Sequence, residues 1–172
     1  MTALTEWQSF YEIVGSSAGA LIGLQFVVLA LVSNIPRTPE LVKAGKAFIT
    51  PTIVHFSTVL LLAAAICAPW HCYLPLAAIW GAIGLAGVIY SLLVLRRMKR
   101  QAAYEPEFVD WLYYAALPLL AYAVLISAAI LIPQQPSMSL FLVAGATLLL
   151  LLTGIHNAWD NVVYHVFTNN QP

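Results

Sequence analysis

Five long apolar blocks limit what this chain can fold into. Breaks that contain proline, glutamine or charged residues separate the blocks, which cover roughly residues 12–34, 47–68, 73–95, 108–132 and 138–158. A helix that crosses the hydrocarbon core of a bilayer needs about 20 mostly apolar residues, and each block is that long. Only 8% of the residues are charged, whereas a soluble domain carries about 25%. The sequence therefore predicts an all-α, polytopic integral membrane protein, a five-helix transmembrane bundle that forms a single domain over residues 1–172.

Basic residues predict the orientation of this bundle. All seven Lys and Arg residues fall in the connections after the first and third blocks: Arg37, Lys43, Lys46, Arg96, Arg97, Lys99 and Arg100. These connections lie on one side if all five blocks span, and the positive-inside rule makes that side cytoplasmic. We therefore expect the N-terminus outside and the C-terminus in the cytoplasm, in a bacterial inner (plasma) membrane. The net charge is zero, so nothing suggests nucleic acid as a partner.

The last helix is expected to continue beyond its apolar block. From residue 156 onward, one half of a helical wheel is polar and holds His156, Asn157, Asp160, Asn161, Tyr164, His165 and Thr168. The other half is apolar. This division is typical of an amphipathic helix, and it predicts an extension to about residue 168.

Polar side chains collect in the cytoplasmic half of the bundle if this topology holds. They are Gln25, His55, Asp110, His156 and Asp160. Ionisable groups at membrane depth are costly and usually face a polar cavity or one another. Asp160 follows His156 by one helical turn, and we expect it to accept a hydrogen bond from the imidazole ring. These five residues form the predicted inner cluster.

Three uses of the inner cluster remain open. The first is a polar vestibule or a proton or ion pathway that opens to the cytoplasm. The second is a metal or haem site with His55 and His156 as ligands and Asp110 or Asp160 in support. The third is structural, with buried polar groups that join helices by hydrogen bonds. Two histidines and a carboxylate on separate helices match no metal-binding spacing such as HExxH.

Three glycines form a smooth stripe on the first helix. Gly15, Gly19 and Gly23 recur every four residues, and small residues allow two helix backbones to approach closely in a membrane. The stripe predicts either the seam of a homo-oligomer or packing against another helix of the same chain.

Two cysteines frame the short sequence CAPWHC at the outer end of the second block. Cys67 and Cys72 are expected either to form a disulfide across this loop or to remain two free thiols. The outer compartment is oxidising, which permits the disulfide. A redox-active pair is the third alternative, although the spacing is not CxxC.

The first helix resembles the opening of a group of small, uncharacterised bacterial multipass membrane proteins. The residues that carry the resemblance are Tyr11, Val14-Gly15 and the run from Leu21 to Leu29, in the pattern VGxxAxxLIGLxFVxL. The likeness continues through PELVKAGKAFITPTIVHFSTVLLLAA and covers about the first third of the chain. Some such proteins are described as modulators of a membrane AAA protease, so the resemblance implies a partner-binding role and no catalytic residues.

These observations favour a function other than catalysis. No nucleophile and base occur at a spacing that suggests an enzyme. We expect an oligomeric inner-membrane protein, either a pore- or transporter-like subunit or a modulator of a membrane partner. Its partners would be the lipid bilayer, further copies of the chain and possible larger membrane proteins. The alternative is a haem- or metal-binding redox protein that uses His55 and His156.

Overall fold

The computed structural model of the protein describes residues 2–31, 39–100 and 107–168, and side-chain surroundings for 4–30, 49–100 and 107–163. Arg37 lies outside the described residues, and so do the side chains of Lys43, Lys46, Tyr164, His165 and Thr168. The described helices are α1 (Thr2–Glu6), α2 (Gln8–Leu31), α3 (Pro39–Cys67), α4 (Leu74–Arg100), α5 (Phe108–Trp111), α6 (Leu117–Leu131) and α7 (Pro136–Thr168). A π-helical turn, Leu112–Ala116, joins α5 to α6 without a break.

Five stretches of helix in the described part of the chain are long and apolar enough to cross a membrane. They are Gln8–Ala30, Ile49–Cys67, Leu74–Arg100, Phe108–Leu131 and Pro136–Val163. Each contains or overlaps one of the five predicted blocks, so the all-helical fold with five apolar helices is confirmed. The helices run past the predicted bounds where polar residues continue the helical pattern. The clearest case is α4, which includes the basic residues up to Arg100.

Proline marks several helix boundaries. Pro39 and Pro136 are the first residues of α3 and α7. A backbone N–H at that position has no acceptor within the helix, so proline removes no hydrogen bond there, and its fixed φ suits a helix. At the other end, α3 stops at Cys67, two residues before Pro69. Pro51 lies inside α3 and Pro118 in the first turn of α6. An internal proline removes one backbone hydrogen bond and leaves a carbonyl oxygen for another donor.

Four of the helices form a ring. Along this ring, α4 packs on α6, α6 on α7, and α7 on α3, while a shorter contact between α3 and α4 closes it. Consequently α3 and α6 face each other across the centre. The remaining long helix, α2, lies outside the ring, packed along α3 and touching α7.

Glycines allow the ring helices to approach closely. A Cβ atom at Gly84 would lie 2.7 Å from the Ile126 side chain, and one at Gly87 would overlap the ring of Tyr122. On the opposite side of the ring, a Cβ at Gly154 of α7 would lie 2.5 Å from the ring of Phe56. Gly84 meets Ile126 and Gly87 meets the earlier residue Tyr122, so α4 and α6 run antiparallel. Small residues thus bring aromatic side chains into the centre of the bundle.

Candidate functional site

His55 lies in the centre of the helix ring. Its residue is 1% exposed, and its Nδ1 lies 3.1 Å from the hydroxyl oxygen of Tyr122. His55 belongs to α3 and Tyr122 to α6, which lie opposite each other in the ring. This hydrogen bond therefore crosses the centre of the ring. We call these two residues the central pair.

Tyr122 is held on both sides. Its ring lies directly on the backbone of α4 at Gly87, where any side chain would overlap it. Its hydroxyl oxygen lies 3.3 Å from Oγ1 of Thr58, and the Thr58 hydroxyl donates to the Val54 carbonyl oxygen at 2.9 Å. The Tyr122 hydroxyl therefore has two polar neighbours on α3, one turn apart.

The hydrogen bonds of the central pair allow two proton arrangements. The Thr58 hydroxyl has one hydrogen, which it donates to Val54, so Oγ1 is free to accept the hydrogen of Tyr122. His55 Nδ1–H then donates to Tyr122, and Nε2 is the acceptor nitrogen. Alternatively, Tyr122 donates to Nδ1 and Nε2 carries the proton. The two arrangements differ in the tautomer of His55.

Buried polar atoms without a hydrogen-bond partner continue from the central pair toward one end of the bundle. In the described part of the chain they include Nε2 of His55, Oγ1 of Thr52, Oγ of Ser91 and the hydroxyl of Tyr90. Thr52 precedes His55 by about one turn of α3, and Ser91 follows Gly87 by about one turn of α4. Since α3 and α4 are consecutive antiparallel helices, both steps lead toward the same end. Buried polar groups are costly unless paired, so this set is unusual in a helix core.

A second polar group lies where α7 crosses the π-helical turn. The ring of His156 stacks on the ring of Tyr113, with centroids 3.6 Å apart and an angle of 20° between the planes. Asn157 Nδ2 donates to the Tyr113 carbonyl oxygen at 3.4 Å, and Asn161 Nδ2 lies 3.4 Å from the Tyr114 hydroxyl. We call this the end group. The end group connects α7 to the start of the apolar stretch Phe108–Leu131. Asn157 contacts the backbone of that stretch, and His156 and Asn161 contact its side chains.

The structure divides the predicted inner cluster among four places. His55 lies in the ring, and Gln25 is buried on α2, outside it. Asp110 is buried and accepts a hydrogen bond from the Glu107 N–H at 2.8 Å in a capping box at the start of α5. His156 and Asp160 belong to the end group.

His156 and Asp160 are not joined by a hydrogen bond in the described residues. Asp160 lies within electrostatic range of His156, and also of the carboxylates of Asp110 and Glu107. The stacking on Tyr113 supplies a contact for the imidazole ring that the wheel of α7 alone does not predict. Asp160 itself is exposed.

The two candidate metal-ligating histidines are not brought together. His55 contacts Tyr122 and His156 contacts Tyr113, and these tyrosines are separated by nine residues of one span, about 13 Å along the helix axis. The described residues contain no group of three or more His, Cys, Asp or Glu side chains arranged to hold a metal ion.

The glycine stripe is used unevenly. A Cβ at Gly15 would lie 2.8 Å from Cβ of Ala63, so this glycine packs against α3, whereas nothing lies within 4 Å of a Cβ at Gly19 or Gly23. Cys67 and Cys72 are both exposed free thiols.

The sequence did not single out Tyr122 or Ser91, and it placed Asn157 on the polar half of the last helix without a role of its own. Their side chains carry no charge, and each was hidden among apolar neighbours or in a polar helix end. One available indication was the position of Tyr122 in LPLLAYAVLISAAIL, well away from the span ends where tyrosine is usually found. Gly84 and Gly87 on the preceding helix were a second indication, because such residues accommodate a large partner.

No protein-family model matches the chain, and no curated protein or solved structure matches it. The class of protein rests on the fold itself: an all-helical chain in which five described helices are long and apolar enough for a bilayer. The resemblance of its first helix to small bacterial multipass proteins stays a prediction.

Proposed function

We propose that this protein is a transporter-like, multi-pass inner-membrane protein that conducts protons, and that the central pair is the relay within it. The observation that carries the proposal is the environment of His55. One ring nitrogen is hydrogen-bonded to Tyr122 across the helix ring, and the other is buried without a partner. An ionisable group at membrane depth is a functional candidate in its own right, because burying it is costly.

Protons fit this environment better than larger ions or solutes. Thr52, His55, Ser91 and Tyr122 are each no more than 3% exposed, so the polar groups are packed among helices. A proton needs only a brief hydrogen bond between neighbouring polar groups, which rotation of a side chain can form, whereas a hydrated ion needs an open channel. Histidine suits this role, since its ring can accept a proton at one nitrogen and release one from the other.

The two hydrogen-bonding arrangements of His55 supply the relay step. A proton that reaches Nε2 gives an imidazolium, which releases its Nδ1 proton to the Tyr122 hydroxyl as that hydroxyl passes its own hydrogen to Thr58 Oγ1. Thr58 takes up this hydrogen at Oγ1 and releases its own hydrogen, which pointed to the Val54 carbonyl oxygen, to a water molecule beside the half-buried Thr58 side chain. Rotation of the hydroxyls and return of His55 to the first tautomer reset the pair.

The proposed cytoplasmic route begins at the end group. Asp160 is exposed there, beside His156. Further in, Tyr114 accepts a hydrogen bond from Asn161 and belongs to a buried cluster against which Tyr90, the neighbour of Ser91, packs. The basic last turn of α4, with Arg97, Lys99 and Arg100, lies toward the same end. Under the positive-inside rule this end faces the cytoplasm and the N-terminus lies outside.

The other predicted roles receive less support from the geometry. A haem or metal site shared by His55 and His156 requires them at one place, and they contact tyrosines about 13 Å apart along one span. A route within the ring needs only one chain, so a homo-oligomer through Gly19 and Gly23 is compatible with the proposal but not required by it. No contact favours the partner-modulator role.

Proton flux into vesicles tests the proposal. Purified protein is reconstituted into liposomes that contain a pH-sensitive dye, and a potassium gradient with valinomycin drives proton entry. We expect wild-type flux above that of empty liposomes, and His55→Gln to reduce it to the empty level because glutamine cannot exchange a proton. His71→Gln is the matched control, since His71 is exposed between α3 and α4. Wild-type flux equal to that of empty liposomes, or undiminished flux in His55→Gln, would contradict the proposal.

A further inference from the structure

The π-helical turn ahead of α6 leaves one backbone carbonyl without its helical donor. In an α-helix the N–H of Leu117 would donate to the Tyr113 carbonyl oxygen, four residues back. Here it donates to Leu112, five residues back. The next residue is Pro118, which has no N–H to offer in its place. The Tyr113 carbonyl therefore depends on a donor from elsewhere.

Asn157 of α7 supplies that donor. Its Nδ2 donates to the Tyr113 carbonyl oxygen at 3.4 Å, and the Asn157 residue is fully buried. The adjacent His156 stacks on the Tyr113 ring. One turn further on, Asn161 donates to the Asn157 carbonyl oxygen at 2.6 Å and lies beside the Tyr114 hydroxyl. The π-helical turn is thus matched by polar side chains on the facing surface of α7.

From these contacts we propose that Asn157 is a positioning residue for Tyr122, acting through the π-helical turn. A π-helical turn accommodates one residue more than an α-helical turn, and one residue corresponds to a rotation of about 100° around the helix axis. The turn therefore sets the direction of every α6 side chain relative to Tyr113 and Tyr114. Conversion of the turn to α-helix would rotate Tyr122 away from Gly87 and His55.

The space at Gly87 that the Tyr122 ring fills, which we call the slot, makes the contacts of Tyr122 sensitive to this rotation. Its ring fits against α4 only where Gly87 provides space, and its hydroxyl reaches His55 and Thr58 from that position. A small shift would remove both hydrogen bonds together. The consequence for proton flux rests on the proposed function, whereas the positioning of Tyr122 does not.

Nitrogen NMR of the histidine rings tests the positioning directly. The full chain is labelled with ¹⁵N at its four histidines, and the His55 resonances are assigned by their loss in His55→Gln. Tyr122→Phe defines their positions when the hydrogen bond to Nδ1 is absent. We expect Asn157→Ala to move the His55 resonances toward the Tyr122→Phe positions. Thr153→Ala, one turn earlier on α7, should leave them at their wild-type positions, because the Thr153 hydroxyl donates to the Leu149 carbonyl oxygen of its own helix.

Pro118→Ala provides a second approach that does not remove a side-chain contact. It restores the N–H at residue 118, five residues after Tyr113, and in the π-helical turn this N–H can donate to the Tyr113 carbonyl oxygen in place of Asn157. Pro118→Ala added to Asn157→Ala should therefore return the His55 resonances toward their wild-type positions. Wild-type His55 resonances in a folded Asn157→Ala protein would overturn the inference, even if that protein melts at a lower temperature. Displaced resonances that Pro118→Ala does not restore would also overturn it. If the resonances shift but wild-type liposomes show no proton flux, the positioning stands and the proposed function fails.

Discussion

At Tyr122, one side chain joins three helices of the ring. Its hydroxyl meets His55 and Thr58 of α3, while its ring occupies the space left by Gly87 of α4. A buried hydroxyl without a partner costs about 1–3 kcal/mol, so these neighbours both stabilise the side chain and restrict its position. A change that displaces the Tyr122 ring therefore also displaces its hydroxyl from His55 and Thr58.

Adding a single methyl group at residue 87 tests this fit. We expect Gly87→Ala to destabilise the protein by about 2 kcal/mol or more, because the new Cβ overlaps the Tyr122 ring. Gly81→Ala, two turns earlier on α4, is the control, since the nearest atom to its Cβ is 3.7 Å away. Thermal melting in detergent compares the two. Equal stability of both variants would show that Tyr122 does not occupy the slot.

The central residues differ in how far the sequence predicts them. His55 was identified because an ionisable side chain inside an apolar block is unusual whatever its neighbours are. Tyr122 and Ser91 have side chains that an apolar span tolerates, and only the helix arrangement shows that they are buried beside His55. The sequence grouped Gln25 and Asp110 with His55 by depth along their helices, but depth does not determine which side of a helix faces the ring.

At the scale of the helix, α2 is attached to the ring through one part of its glycine stripe. Gly15 touches Ala63 of α3, while the positions around Gly19 and Gly23 are open. The spacing of the three glycines predicts a smooth stripe but cannot tell how much of it a neighbour covers. The π-helical turn was equally beyond sequence reasoning, because a proline such as Pro118 disturbs the backbone hydrogen bonds near it without specifying a π-helical turn.

Alanine substitutions along the stripe separate packing within the chain from open surface. Alanine favours a helix over glycine by about 1 kcal/mol, so Gly19→Ala should be neutral or stabilising. Gly15→Ala should instead destabilise the protein by about 1–3 kcal/mol, because its Cβ would lie 2.8 Å from that of Ala63. Melting curves at several protein concentrations measure both effects. A Gly15→Ala protein as stable as Gly19→Ala would contradict the observed docking of α2.

At the scale of the whole molecule, the five apolar helices could be predicted because each must be long enough for the bilayer regardless of its neighbours. Their arrangement could not, since nearly every face of each helix is apolar and periodicity does not mark the core side. The ring of α3, α4, α6 and α7, with α2 outside, depends on close contacts at Gly84, Gly87 and Gly154.

The native cysteines allow the proposed orientation to be measured. Cys67 and Cys72 are exposed and free, at the end of the bundle opposite the basic last turn of α4. We expect a membrane-impermeant maleimide to label them in intact, mildly reduced bacterial cells. A Lys99→Cys protein that lacks both native cysteines should be labelled only after permeabilisation. The reverse pattern would place the basic end outside and contradict the proposed topology.

The most direct measurement of the proton-relay account is the flux carried by Tyr122→Phe. This change removes one oxygen atom, the one that joins His55 to Thr58 across the ring, and retains the aromatic ring that fills the slot at Gly87. Tyr113→Phe removes a hydroxyl from the end group and keeps the ring that stacks on His156. We predict that liposomes with Tyr122→Phe take up protons no faster than empty ones, while Tyr113→Phe retains most of the wild-type flux. Wild-type flux through the Tyr122→Phe protein would show that protons, if they cross, do not pass through the central pair.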